Sequence, residues 1–291
     1  MKSSLKLFVE LFLLPGMAAL LPWRWCFPLF RRVARGHRLY PEVEWMLRGA
    51  LGAGVVDNEN EWRYALRLTR IFSYADLYLS MFRTDRWLDK HVVVTGSWPP
   101  GAFLAVTYHW GAGMWALRHL HAHGKRTAFL SIRFDRATFQ HSRLRYWYGL
   151  LRTRETSRAG GGAGVIFTGG SSATIAAALK ENVCVMALLD VPPQPQHAST
   201  PVTLLGRPAR LRTGLARLAI EEKIPVVTFR MNLDRESGRL KLLIGSPLIQ
   251  TTEDGLMREL AESFESALQQ DPCAWHSWSE VQLYTQPATH E

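Results

Sequence analysis

Between residues 91 and 244, short apolar runs alternate with stretches of helical period, and no other feature constrains the fold as strongly. The runs are His91–Thr95, Ala102–Thr107, Arg126–Ile132, Val165–Phe167, Val183–Leu189, Val202–Leu205, Pro225–Met231 and Arg239–Ile244. Helical stretches over Gly111–His123, Thr138–Arg152, Ser171–Asn182 and Thr213–Glu222 lie between them. Strands separated by helices pair in parallel through crossovers, and an all-apolar run such as Val183–Leu189 suits a strand covered on both faces. The expected class is therefore α/β, one mostly parallel or mixed sheet covered by helices. The Asp234–Gly238 turn makes Pro225–Met231 and Arg239–Ile244 an antiparallel pair, expected at the sheet edge. Pro192, Pro193 and Pro195 force a loop. A long helix is predicted over Asn58–Arg83, with Trp62, Leu66, Phe72 and Leu79 on one face and Arg63, Arg67 and Arg70 on others. Thr251 or Thr252 caps a final helix that runs to about Gln270.

The N-terminus differs in character. Leu5–Leu21 is strongly apolar but holds Glu10 and Pro15-Gly16, and Arg31, Arg32, Arg35 and Arg38 follow it. A carboxylate is costly at a bilayer centre, and no small-x-small cleavage site marks a signal peptide. Residues 1–40 are expected to form an interfacial or re-entrant membrane-associating segment, with arginines facing anionic headgroups. Residues 41–291 form the remaining domain. Among eleven tryptophans, Trp23, Trp25, Trp45, Trp62 and Trp87 precede the first strand, as suits either a membrane boundary or an aromatic core.

The net charge of +10 favours an anionic partner. The arginines are spread through every segment and no nucleic-acid recognition motif occurs, so nucleic acid is not the expected partner. The three cysteines, Cys26, Cys184 and Cys273, have no ligand spacing and fit a reducing, cytoplasmic-side setting. No metal is expected. His119 and His123 share a helix face without a fourth ligand, and histidines in a last turn are favoured by the helix dipole. The glycines at 160–162 and 169–170 lack the Gly-Lys-Ser/Thr that a nucleotide-hydrolysing loop requires.

The candidate for chemistry is His109. It ends the apolar strand Ala102–Thr107 and precedes a glycine turn, Gly111-Ala-Gly113, that opens a helix. Ligands of α/β enzymes gather outside strand C-terminal ends, where an imidazole can transfer a proton. Gly111 and Gly113 let the backbone approach a substrate oxygen, and helix N-terminal N–H groups can stabilise an oxyanion. A tight strand-to-helix turn needs the same glycines.

Five stretches, in order, carry a family resemblance: Ala105-Val-Thr-Tyr-His109-Trp-Gly; Arg152-Thr-Arg154, then Val165-Ile-Phe; Leu179 to Asp190; Leu205-Gly-Arg-Pro-Ala209 with Thr213–Ala219; and Pro272-x-x-Trp275-x-x-Trp278. Together they span about residues 60–280. The chain resembles the late acyltransferases of lipid A biosynthesis, within the lysophospholipid acyltransferase superfamily. The resemblance implies a lipid acyltransferase at the cytoplasmic side of the inner membrane. It implies an acyl carrier protein or coenzyme A thioester as donor, an anionic lipid acceptor and no bound cofactor. His109 would be the general base, and Arg152, Arg154, Arg207 and Arg210 would contact substrate. The glycines at 160–164 form an insertion relative to the family pattern.

One position departs from the family: the residue five after the histidine is acidic there, and here it is Met114. A carboxylate on the second ring nitrogen fixes the tautomer, and its loss in hydrolase triads can cost about 10⁴ in rate. Three readings follow. Asp190, at the end of its own strand, reaches His109; a backbone carbonyl holds the ring; or the protein is a catalytically impaired lipid- or acyl-carrier-binding protein on the same fold.

Overall fold

The computed structural model describes residues 2–133, 136 and 142–285. The chain begins with α1 (Lys2–Phe8), a π-turn over Val9–Leu13 and α2 (Leu14–Leu20), which make one nearly continuous helical run. Then come α3 (Trp23–Ala34), α4 (Glu42–Ala53), α5 (Glu59–Phe82) and α6 (Asp85–His91). The alternating part follows: β1 (Val92–Thr95), β2 (Leu104–Thr107), α7 (Gly113–Ala122), β3 (Thr127–Ser131) and α8 (Arg143–Ala159). It continues with β4 (Val165–Phe167), α9 (Ser172–Lys180), β5 (Cys184–Leu188), β6 (Ser199–Leu204) and β7 (Arg207–Arg212). After α10 (Gly214–Glu221), β8 (Val226–Leu233), β9 (Leu240–Ile244) and α11 (Glu253–Gln270), the chain closes with two short 3₁₀ turns and α12 (Gln282–Thr285).

Seven strands form one sheet in the order β1-β9-β8-β2-β5-β3-β4, and all neighbours are parallel except β8 and β9. That antiparallel pair is internal. The expectation of an edge pair fails because β1 adds in parallel to β9, with Val92 opposite Leu240, and covers the edge. Central strands β2 and β5 are apolar and buried, as the sequence pattern requires of strands with helices on both faces. A second correction concerns Val202–Leu205, expected in the single sheet: it lies in a separate two-stranded hairpin, β6–β7, turned by Leu205 and Gly206 with φ of 55° and 70°. The helix predicted over Thr138–Arg152 is α8, which continues to Ala159 because nothing breaks it before Gly160; residues 138–141 lie outside the described residues.

The helix α5 organises the N-terminal half. Asn58 caps it, its side chain accepting from the N–H groups of Asn60 and Glu61. Arg67, expected on an outer face, is 2% exposed and donates to the carbonyls of Ala34 and Leu39 while pairing with Glu44. A buried guanidinium is tolerated when its donors are taken in this way. Helices α2 and α3 contribute Leu14, Phe27 and Phe30 to the same core as Phe72 and the sheet. Glu10 is also buried; its carboxylate accepts the Tyr40 N–H at 2.7 Å, and the Tyr40 hydroxyl donates to its carbonyl. Among the described residues, no helix is long and apolar enough to cross a membrane.

Candidate active site

Strand register brings the two principal candidates together. In the β2–β5 ladder Thr107 lies opposite Leu188, so two residues further on His109 meets Asp190 at the C-terminal edge of the sheet. The Asp190 carboxylate is fully buried and accepts the backbone N–H of His109, at 2.8 Å to Oδ1 and 2.9 Å to Oδ2. The ring is held by the same residue. His109 Nδ1 lies 3.2 Å from the Asp190 carbonyl in hydrogen-bond geometry and 3.2 Å from carboxylate Oδ1. An aspartate contact and a carbonyl contact, alternatives on the sequence, are both made by Asp190.

Two aromatic residues hold Asp190. Trp275 Nε1–H donates to Oδ2 at 2.6 Å, and the Tyr284 hydroxyl donates to the Asp190 carbonyl at 2.8 Å. Both are buried. The C-terminal segment is also laid against the loop that carries His109: Trp110 and Trp275 form an antiparallel bridge, and the His276 N–H donates to the His109 carbonyl at 2.8 Å. The sequence had offered Trp275 only as part of an aromatic signature, with nothing to say that it would reach a carboxylate.

These contacts set the electrostatics. Burial alone would lower the basicity of the His109 imidazole, but the charge and hydrogen bond of Asp190 outweigh it and hold the pKa above the ordinary histidine value. The side chain remains 40% exposed. Nδ1–H donating to Asp190 leaves Nε2 as the ring nitrogen able to accept a proton.

The glycine turn is built for close approach. Gly111 has φ of +48°, and a Cβ there would lie 2.1 Å from the Met231 carbonyl oxygen on β8. Its N–H donates to the Ala274 carbonyl. Gly113 begins α7, and its N–H makes no such bond among the described residues, whereas the Met114 N–H donates to Asp76 Oδ2 at 2.9 Å. Met114 itself is buried among Leu11, Leu77, Tyr78 and Tyr148. Asp76, on α5, is fully buried, and burial pushes its carboxyl up to about 7 against the Met114 N–H and the charge of Arg152.

The candidate arginines do not converge. Arg152 lies on α8 and lines a cavity of about 270 Å³ beside Tyr148. Arg154 is on the exposed side of the same helix. Arg207 and Arg210 are on β7: Arg207 donates to the Gly52 carbonyl, and Arg210 to the Ser199 hydroxyl and carbonyl. Arg207 also lines a small cavity bordered by Trp275 and Tyr284, the two residues that hold Asp190. His119 accepts from the Trp98 indole at 2.9 Å, and no cluster of three metal-ligating side chains occurs among the described residues.

Residues 154–280 match the family described as bacterial lipid A biosynthesis acyltransferase. Over that span the chain is lipid A acyltransferase-like. A search of curated proteins found no match. The acyltransferase-like span contains Asp190, Trp275, Arg207 and Arg210; His109 precedes it and joins it through the β2–β5 register. The match supports lipid acyl transfer at a coarse level.

Proposed function

We propose that the protein transfers an acyl chain from an acyl carrier protein or coenzyme A thioester to a hydroxyl or amine of a lipid-like acceptor at a membrane surface, with His109 as general base. The observation that carries this reading is the His109–Asp190 pair at the sheet's C-terminal edge. A hydroxyl is a poor nucleophile near neutral pH, and a neutral imidazole removes its proton as the new bond forms. The acceptor oxygen attacks the thioester carbonyl while Nε2 takes the proton. The carbonyl oxygen becomes an oxyanion, and the Gly113 N–H at the start of α7 is a donor for it. Collapse expels the thiolate, which regains the proton from the imidazolium, giving an ester and a free thiol. Asp190 fixes the tautomer and stabilises the imidazolium between the two steps.

The charge of +10 suits an acidic carrier or anionic lipid. Leu5, Phe8, Leu13, Leu20 and Trp25 are exposed apolar side chains of the N-terminal helices, and support membrane association of residues 1–40 without a span. The test is transfer of radiolabel from acyl-loaded carrier protein to a total membrane lipid extract, by detergent-solubilised wild type and His109→Ala. Label in lipid with wild type alone is expected. Equal label in both variants, or none in either while the carrier still binds, replaces this reading with a lipid- or carrier-binding protein.

A further inference from the structure

Helix α7 begins without a cap of its own. Its N-cap position is Ala112, which makes no side-chain cap, and its first turn holds no acidic residue. Helix N-termini leave N–H groups without partners, and a negative group near them is favoured. Here the acid comes from another helix. Asp76, on α5, is fully buried, and its Oδ2 accepts the Met114 N–H at 2.9 Å. The Trp115 N–H, next along the turn, also acts on this carboxyl as a donor. The contact therefore falls on the main chain of the residue whose side chain lacks the family's acid.

This is a costly way to cap a helix. Serine or aspartate at position 112 would serve from within α7, whereas a carboxyl taken out of water carries a desolvation penalty. Among the described residues Asp76 makes no ion pair, and burial pushes its carboxyl up to about 7. Either protonation state still offers an oxygen to an N–H. A local rule broken at a cost to stability is expected where function gains from it.

What the contact holds is the turn that follows the base. At one end the Gly111 N–H donates to the Ala274 carbonyl at 3.3 Å, and a Cβ on Gly111 would meet the Met231 carbonyl oxygen. At the other end Met114 is tied to α5 through Asp76. Between these two ties lies the Gly113 N–H, which makes no backbone bond among the described residues. We propose that Asp76 is a positioning residue for acyl transfer: by holding the Met114 N–H it fixes the first turn of α7 and aims the Gly113 N–H at the oxyanion. The role rests on the acyltransferase reading, whereas the fixed turn does not.

Three readouts on the full detergent-solubilised chain test it in wild type, Asp76→Ala and Asp76→Asn. The first is amide hydrogen exchange over residues 109–117, which needs no substrate. Exchange about ten-fold faster is expected in Asp76→Ala, with Asp76→Asn close to wild type because its carbonyl still accepts the Met114 N–H. The second is transfer from acyl-loaded carrier protein. A misplacement of about 1 Å costs about 10² in rate, so kcat in Asp76→Ala should fall about 100-fold with donor KM within about two-fold. Asp76→Asn should recover to within about ten-fold of wild type.

The third readout is the ratio of rates on a thioester and on its dithioester, in which sulfur replaces the carbonyl oxygen. Sulfur accepts hydrogen bonds weakly, so a well-aimed N–H favours the thioester, and the ratio does not depend on how much protein is folded. It should fall about several-fold in Asp76→Ala and return in Asp76→Asn. Unchanged exchange or an unchanged ratio in Asp76→Ala overturns the proposal. So does a loss in Asp76→Asn as large as in Asp76→Ala, which would assign the effect to charge. If Asp76→Ala does not fold, Asp76→Asn decides alone: transfer near wild type upholds the proposal and a 100-fold loss overturns it. His109→Ala separates the two claims. If it abolishes transfer while Asp76→Ala keeps the wild-type rate and ratio, the base stands and the positioning role falls. If wild type transfers from neither donor, the transfer reading falls and takes this role with it, and exchange still reports the turn.

Discussion

Replacing Trp275 with phenylalanine removes one N–H from a fully buried carboxylate. The indole donates to Asp190 Oδ2 at 2.6 Å, a hydrogen bond to a charged group that contributes about 1.5–3 kcal/mol. The smaller ring also leaves unfilled space, adding about 1 kcal/mol, so Trp275→Phe is expected to cost about 3 kcal/mol. Trp278 provides an internal control. It is also fully buried and packs on Trp275 with ring centroids 4.8 Å apart, but its indole donates at 2.7 Å to the neutral carbonyl of Pro272. A neutral acceptor makes that bond worth about 1 kcal/mol, so Trp278→Phe is expected to cost about 2 kcal/mol. Urea unfolding followed by tryptophan fluorescence gives both values under one set of conditions. Transfer should follow the same order, because only Trp275 restrains the carboxylate that holds His109. Equal destabilisation of the two variants, or unchanged transfer in Trp275→Phe, would refute the role given to this indole.

Further consequences concern the turn and the second buried acid. Gly111→Ala places a methyl 2.1 Å from a backbone oxygen at φ of +48°, so strain of about 1–3 kcal/mol plus the clash is expected, read as a fall in thermal midpoint with transfer lost in parallel. Wild-type-like stability would mean that the turn relaxes. The folded protein holds the Asp76 proton more tightly than the unfolded chain does, with the carboxyl raised from 3.8 to about 7. Stability is therefore expected to fall as pH rises from about 4 to about 7 and to level off above, a decline of about 4 kcal/mol from this group. Asp76→Asn should flatten that part of the stability–pH curve, and a curve with unchanged slope would contradict the assignment.

Local physics made much of the fold readable. The apolar runs that became β2 and β5 could lie only inside a two-faced sheet, and Asn58 and Thr252 cap the helices that follow them. His109 could be singled out because it ends an apolar strand just before a glycine turn, and Asp190 because it ends an apolar strand of its own, while their meeting depends on the β2–β5 register. What escaped depends on distant contacts. The internal position of β9 is set by β1, about 150 residues earlier, which no local pattern encodes. The β6–β7 hairpin was legible in principle from Leu205-Gly206, but positive φ at a leucine is a rare choice that only the formed hairpin imposes. Asp76, Tyr148 and His276 come from three segments, and each reads by itself as an ordinary helix or loop residue.

The pairing of His109 with Asp190 is tested most directly by the pH dependence of transfer kcat/KM in wild type and Asp190→Asn. With His109 as the proposed general base, only the neutral imidazole supports transfer, so the rate should rise with pH through the His109 pKa, which Asp190 holds above the ordinary histidine value. In Asp190→Asn that acid limb should move to lower pH, and the plateau should fall by orders of magnitude, toward the roughly 10⁴ seen when an orienting acid is lost. An unmoved limb with an unchanged plateau would contradict Asp190 as the partner of the base.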